Sequence, residues 1–150
     1  VLYEVMGRTS RLTRENTGFL LAKAMQRWNE LLREGFCRNG FGFVRPSYGS
    51  ILIPLFEEDG LRIGELARRS KLSKQTMTTM VRLLERNGLI KRVPDERDAR
   101  ASRIYLSTKA KRFRPVAETV VADIERIVRQ TTSEEQFAAV RAWLRTLANH

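Results

Sequence analysis

Apolar residues recur at steps of three and four in six stretches of this chain and at steps of two in only one short region, a pattern that predicts a mainly α protein carrying a small β-hairpin. From Asn16 to about Glu34, a stripe of Leu21, Ala24, Met25, Trp28, Leu31 and Leu32 alternates with Lys23, Arg27, Glu30 and Arg33, which predicts a helical rod about 28 Å long. The run REGFCRNGFGFVRPS then breaks the stripe with glycines, an asparagine and Pro46, the signature of a loop. A second stripe, Tyr48, Ile51, Leu52, Leu55 and Phe56, runs through Ser47–Glu58. Pro54 interrupts it, so a kink or break is expected there, at about 3 kcal/mol if nothing compensates for the missing donor.

Two short amphipathic stretches follow. Arg62–Ser70 turns Ile63, Leu66 and Ala67 inward; Lys71-Leu72 form a turn; Ser73 is placed to cap a helix from Lys74 to Asn87, in which Met77, Met80, Val81 and Leu84 share a face and Asn87-Gly88 give the stop. Leu89–Val93 and Arg103–Leu106 alternate with β-favouring residues and read as antiparallel strands around a loop, Pro94–Ser102, too long for a two-residue turn. The last two stretches are helical again. Lys109 to about Gln130, with Pro115 near its start, aligns Val116, Val120, Ile124, Ile127 and Val128, and Ser133-x-x-Gln136 is a capping box opening a helix with Phe137, Val140, Leu144 and Leu147 inward.

Composition narrows the class. At 150 residues and 42% hydrophobic the chain suits one domain. Its apolar runs fall short of the ~20 residues of a membrane span and its start lacks a signal-peptide pattern, so a soluble, cytoplasmic protein is expected. Cys37 is the single cysteine, which excludes an internal disulfide framework and leaves an intermolecular disulfide or redox sensing as its special chemistry; it is placed in the glycine-containing loop beside Arg38. The only histidine is His150, no cysteine or histidine has metal-site spacing, and there is no glycine-rich phosphate loop. No metal, cofactor or catalytic role is expected. Glu57-Glu58 and Glu134-Glu135 are placed at a helix end and in a first turn.

Charge changes the picture more. Residues 1–61 hold 8 basic and 7 acidic side chains, residues 62–114 hold 16 and 5, and residues 115–150 hold 4 and 5, so the whole net charge of +11 lies in the middle third. Such concentration points to a polyanion-facing surface. The exposed face of the helix after Ser73 carries Lys74, Gln75, Thr76, Thr78, Thr79 and Arg82 in place of the Glu/Lys pairs of a merely solubilising helix. These are groups that pair with base edges in a major groove, with threonine methyls suited to thymine methyls. The hairpin behind it, Lys91–Arg103, holds five basic and three acidic side chains.

Helix, tight turn, helix and charged hairpin make a winged helix, and Leu61–Ala110 resembles one family in particular, the MarR-type transcriptional regulators. Glu65-Leu66-Ala67, Val81-x-x-Leu84-Glu85-x-x-Gly88-Leu89-Ile90, and Asp98-x-Arg100 ahead of Ile104-x-Leu106 are similar in residue and spacing to that family's motifs. Two positions depart from the family pattern: Ala110 stands where a glycine is usual, which requires ordinary backbone there, and Pro54 lies inside the second helix.

The resemblance implies a single domain over 1–150, with a winged-helix DNA-binding part at about 45–107 flanked by helical dimerisation parts at about 1–38 and 109–150. It implies a homodimer on pseudo-palindromic double-stranded DNA with half-sites roughly 34 Å apart, more often a repressor than an activator, released by a small aromatic or phenolic ligand or by cysteine oxidation. The amphipathic end helices, with Trp28, Phe137, Trp143 and Leu147 to cover, independently favour dimerisation, although Trp143 equally fits an intrachain core. On this reading Ser73–Arg82 read bases. Arg100 enters the minor groove, with Arg97 beside it either sharing the groove or staying on the phosphates, and Asp98 braces a wing arginine. Arg62, Arg68, Arg69 and Lys71 hold phosphates. A ligand pocket is expected between the end helices and the winged helix, its lining unassigned. The rival reading is a winged helix used for RNA contact or protein assembly without operator specificity.

Overall fold

The computed structural model describes residues 12–150; the start of the expected N-terminal part, residues 1–11, lies outside the described residues. The elements are α1 (Thr17–Arg38), a 3₁₀ turn (Pro46–Tyr48), α2 (Gly49–Glu57), β1 (Leu61–Arg62), α3 (Ile63–Ser70), α4 (Lys74–Arg86), β2 (Ile90–Pro94), β3 (Ser102–Leu106), α5 (Thr108–Arg129) and α6 (Glu134–Asn149). Asn16, Ser73, Ser107 and Ser133 each accept a first-turn N–H of the helix that follows, so four helices start where a capping side chain stands. Ser133 and Gln136 form the reciprocal capping box. Gly88, at φ +71°, ends α4 in the left-handed region and turns the chain into β2.

One core joins these elements. Ile51, Leu52 and Leu55 of α2, Leu66 of α3, Met77, Val81 and Leu84 of α4, Leu89, and Ile104 of β3 are fully buried. Phe36 of α1 and Phe113 of α5 extend the core towards the long helices with an edge-to-face contact at 4.9 Å. Ala110 sits fully buried inside α5 with ordinary helical backbone.

Four expectations are corrected. First, α1 runs on to Arg38, which places Cys37 in its last turn and not in a loop. Gly35 lies against Val120 of α5, where a Cβ would come within 2.5 Å of a valine methyl, so the glycine allows helix–helix approach instead of ending the helix. The end is made by Asn39, whose side-chain amide donates to the Gly35 carbonyl at 2.7 Å. Second, α2 passes through Pro54 without a break. The carbonyl left without its donor belongs to Ser50, and the hydroxyl of Ser70, at the end of α3, donates to it. Third, the sheet has three strands in the order β1-β3-β2, all antiparallel, with Leu61 opposite Ile104 and Arg62 opposite Arg103. Arg62 is thus a strand residue. Fourth, α6 buries none of its residues in the single chain; of the residues expected inward, Val140, Leu144 and Leu147 are 52%, 41% and 48% exposed.

The mouth of the hairpin is closed by a side chain. Asp95, only 5% exposed, accepts N–H bonds from the Arg97 and Asp98 backbone (2.8 and 3.2 Å) on one oxygen and pairs through the other with Arg62 of β1 and Arg103 of β3 (3.0 and 2.8 Å). The Arg97 N–H, against the opposing effect of desolvation and with help from Arg62 and Arg103, lowers its pKa from 3.8 to about 2. A depressed carboxylate stabilises the fold above its unfolded pKa and loses that contribution as it is protonated. The contribution is therefore present above about pH 4 and disappears between about pH 4 and 2.

Two outcomes follow. Asp95→Asn lowers the thermal midpoint at pH 7, and the gap from the unsubstituted protein narrows as pH falls from 4 to 2, read by circular dichroism melts. Ser70→Ala costs about 1 kcal/mol in denaturant unfolding. In a Pro54→Ala background, where an N–H again reaches Ser50, the cost shrinks; an equal cost in both backgrounds would refute the compensation.

Candidate nucleic-acid interface

The residues expected to meet DNA separate into three groups. On α4, Met77, Val81 and Leu84 face the core, which leaves Lys74, Gln75, Thr76, Thr79 and Arg82 exposed and Thr78 half-buried on the other side. Three hydroxyls are engaged locally. Ser73 accepts from the Thr76 N–H at 3.1 Å and donates to the Thr76 hydroxyl at 2.9 Å, while Thr78 and Thr79 donate to the carbonyls of Lys74 and Gln75 at 2.8 and 3.2 Å. A threonine whose proton is spent on its own helix offers a neighbour its methyl and an acceptor oxygen. The long donors on this face are Lys74, Gln75 and Arg82.

The second group is the tip of the hairpin. The Ala101 N–H donates to Asp98 and the Asp95 N–H to Ala101, each at 3.0 Å, which folds residues 95–101 into a compact tip. Asp98 accepts from the Arg100 backbone N–H at 3.0 Å. It therefore shapes the tip, while the bracing of arginine side chains expected of it belongs to Asp95. Arg97 and Arg100 are exposed, and among the described residues neither guanidinium is held in an ion pair.

The third group is already partnered within the chain. Arg62 is held by Asp95. Glu65 takes a two-point fork from Arg68 and a bond from Arg69, which also reaches Glu58 beyond the end of α2. Arg68 first and then Arg69 bring the Glu65 carboxyl down to about 2. Arg68 nonetheless keeps a side chain that is 72% exposed, so its outer N–H edge stays available. Lys71 reaches the Ala148 carbonyl and the side chain of Asn149 at the end of α6.

Asp95 escaped the sequence reading as a site residue, although a signal was there: an acid directly after strand β2, with arginines at 62 and 103 on the two strands beside it. Arg92 is a second such residue, pairing at 3.2 Å with Glu85 and tying β2 to the end of α4. Away from this face, a cavity of about 390 Å³ lies between α1, α2 and α5. Leu32, Phe36, Leu52, Phe56, Phe113 and Val121 give it apolar walls, and Arg45, Arg114 and Glu118 border it. Arg114 is fixed there by Glu118 and the Phe56 carbonyl. Cys37 is exposed. No described helix is long and apolar enough to cross a membrane.

Comparison with known proteins agrees with this geometry. The MarR family model matches residues 46–102. A curated relative, the transcriptional activatory protein BadR of Rhodopseudomonas palustris, is 43% identical over 54 residues, 36% of this chain and 30% of BadR, so the match spans under a third of that relative's length. A probable transcriptional regulator from Pseudomonas aeruginosa superimposes with a TM-score of 0.77 at 26% identity, over 91% of this chain and 99% of its own. The transcriptional repressor CouR, solved bound to a 23-mer DNA duplex, gives a TM-score of 0.77 at 23% identity over 93% and 99% of the two chains. Residues 46–102 thus match the MarR family model, as a winged helix-turn-helix carried between long helices in a fold shared with these two regulators.

Proposed function

We propose that this chain is a homodimeric, sequence-specific DNA-binding regulator of transcription, a repressor released by a small aromatic or phenolic ligand. The observation that carries the reading is the pairing of the polar face of α4 with a hairpin tip whose two exposed arginines have no ion-pair partner among the described residues, inside the segment that holds the net charge. On this reading Ser73, Lys74, Gln75, Thr76, Thr78, Thr79 and Arg82 meet base edges in the major groove. Arg97 and Arg100 enter the neighbouring minor groove, where narrow A·T-rich walls concentrate negative potential. Arg68 and Arg69 set register on phosphates through the N–H groups that Glu65 and Glu58 leave open, and Arg62 acts through Asp95 by holding the hairpin at a fixed angle.

The dimer reading is supported by apolar side chains that this chain leaves uncovered on its long helices: Phe19, Leu20 and Met25 of α1, Ile127 of α5, and Val140, Trp143, Leu144 and Leu147 of α6. Apolar area of this extent on elements outside the core favours association. A ligand site is supported by the cavity between α1, α2 and α5, whose apolar walls suit an aromatic ring and whose bordering arginines suit an acidic or phenolic oxygen. Repression is supported by the similarity in fold to CouR, described as a repressor. BadR, described as an activatory protein, marks the opposite outcome, which a promoter–reporter assay distinguishes.

Selection of duplexes from a random pool should enrich a pseudo-palindrome, with affinity falling steeply with salt on logarithmic axes; equal affinity for random duplexes would instead favour a winged helix without operator specificity. Against the selected duplex at ~0.15 M salt, Arg100→Ala should weaken binding by about 1–3 kcal/mol. An effect within twofold would remove the hairpin from the minor groove. Leu144→Glu should shift the protein from dimer to monomer in analytical ultracentrifugation, and an unchanged mass would place the interface elsewhere.

A further inference from the structure

We infer that Lys71 is a positioning residue that clasps the helix-turn-helix to the end of α6. Two independent observations meet at this side chain. Lys71 ends α3 with φ +54°, the one non-glycine residue with positive φ among those described. Glycine is the residue that takes this place without cost, so a lysine here points to a use for its side chain. That use is visible: across 77 residues of sequence, the ammonium donates to the Ala148 carbonyl and, at 2.7 Å, to Oδ1 of Asn149. The last carbonyls of a helix have no partner within it and carry the negative end of its dipole, so a cation is the natural cap.

The clasp matters because little else fixes α6. No residue of the helix is buried. At its start Arg129 pairs with Glu134 at 2.7 Å and stacks on Phe137 at 4.5 Å; at its end Lys71 holds it. Two basic residues, one on α5 and one in the turn ahead of α4, thus pin the helix at both ends. Lys71 thereby ties the orientation of α4 to the helix bearing the uncovered face of Val140, Trp143 and Leu147. Resting on the dimer reading above, this sets the angle between the two copies' α4 helices. It also withdraws Lys71 from the phosphate role that its position in the sequence suggests.

The test is hydrogen exchange of the free protein, followed by DNA titration. Residues 141–150 should exchange about two- to fivefold faster in Lys71→Gly, a change that suits the backbone and should leave the melting temperature unlowered. Lys71→Arg should keep the slow exchange. Asn149→Ala should show part of the effect alone and add nothing in the Lys71→Gly background. On a selected duplex, Lys71→Gly should weaken binding severalfold with an unchanged salt slope. Unchanged exchange at 141–150 overturns the clasp, and a slope reduced by about one would return Lys71 to the phosphates. The exchange measurement needs no DNA, so it decides the clasp even if the protein binds no duplex.

Discussion

A carboxylate cannot be shut away from water without compensation, and Asp95 is compensated completely. Its oxygens gather one arginine from β1, another from β3 and two backbone N–H groups of the hairpin tip. A two-residue strand such as β1 has too few ladder bonds to hold its place alone, and Asp95 adds an ionic tie across the sheet. It also fixes where the tip begins, because the Arg97 and Asp98 amides must point at it. The positions of Arg97 and Arg100, and through Arg62 the entry into α3, all depend on this one buried charge.

Most of the fold was legible from local rules. Ser73 and Ser133 stood where their helices began, and the i, i+3, i+4, i+7 stripe of Met77, Met80, Val81 and Leu84 chose the face of α4 that meets the core. What escaped depended on partners distant in sequence. Nothing near Pro54 announces that Ser70 will supply the missing donor, and nothing near Gly35 announces that Val120 will occupy the space a Cβ would need. Glycine read locally means a loop; read against a neighbouring helix it means close packing.

The candidate site was legible in part for the same reason. Exposure of the α4 face follows from its own periodicity. Whether a given arginine is free does not: Arg62, Arg68 and Arg69 look like phosphate holders by position, yet each is drawn into an internal pair by an acid on another turn or another element. Arg97 and Arg100 stand apart: among the described residues neither is in an ion pair, although Glu96 and Asp98 lie beside them in sequence. On α6, Trp143 and Leu147 were legible as apolar residues in need of cover, but Val140 and Leu144 only as an apolar face, since periodicity marks a face without saying what lies opposite.

The sheet order β1-β3-β2 leaves β2 with one neighbour, so its outer side is an open edge on which another chain's strand could add. β2 ends in Pro94, which has no N–H to offer, and it carries exposed Lys91 in mid-strand, Arg92 being paired with Glu85. A second copy approaching that edge would meet like charge and a missing donor. Charge and proline together thus disfavour growth of the sheet by edge-to-edge pairing of two copies. Replacing Lys91 with an apolar residue would remove that protection and favour strand addition at this edge.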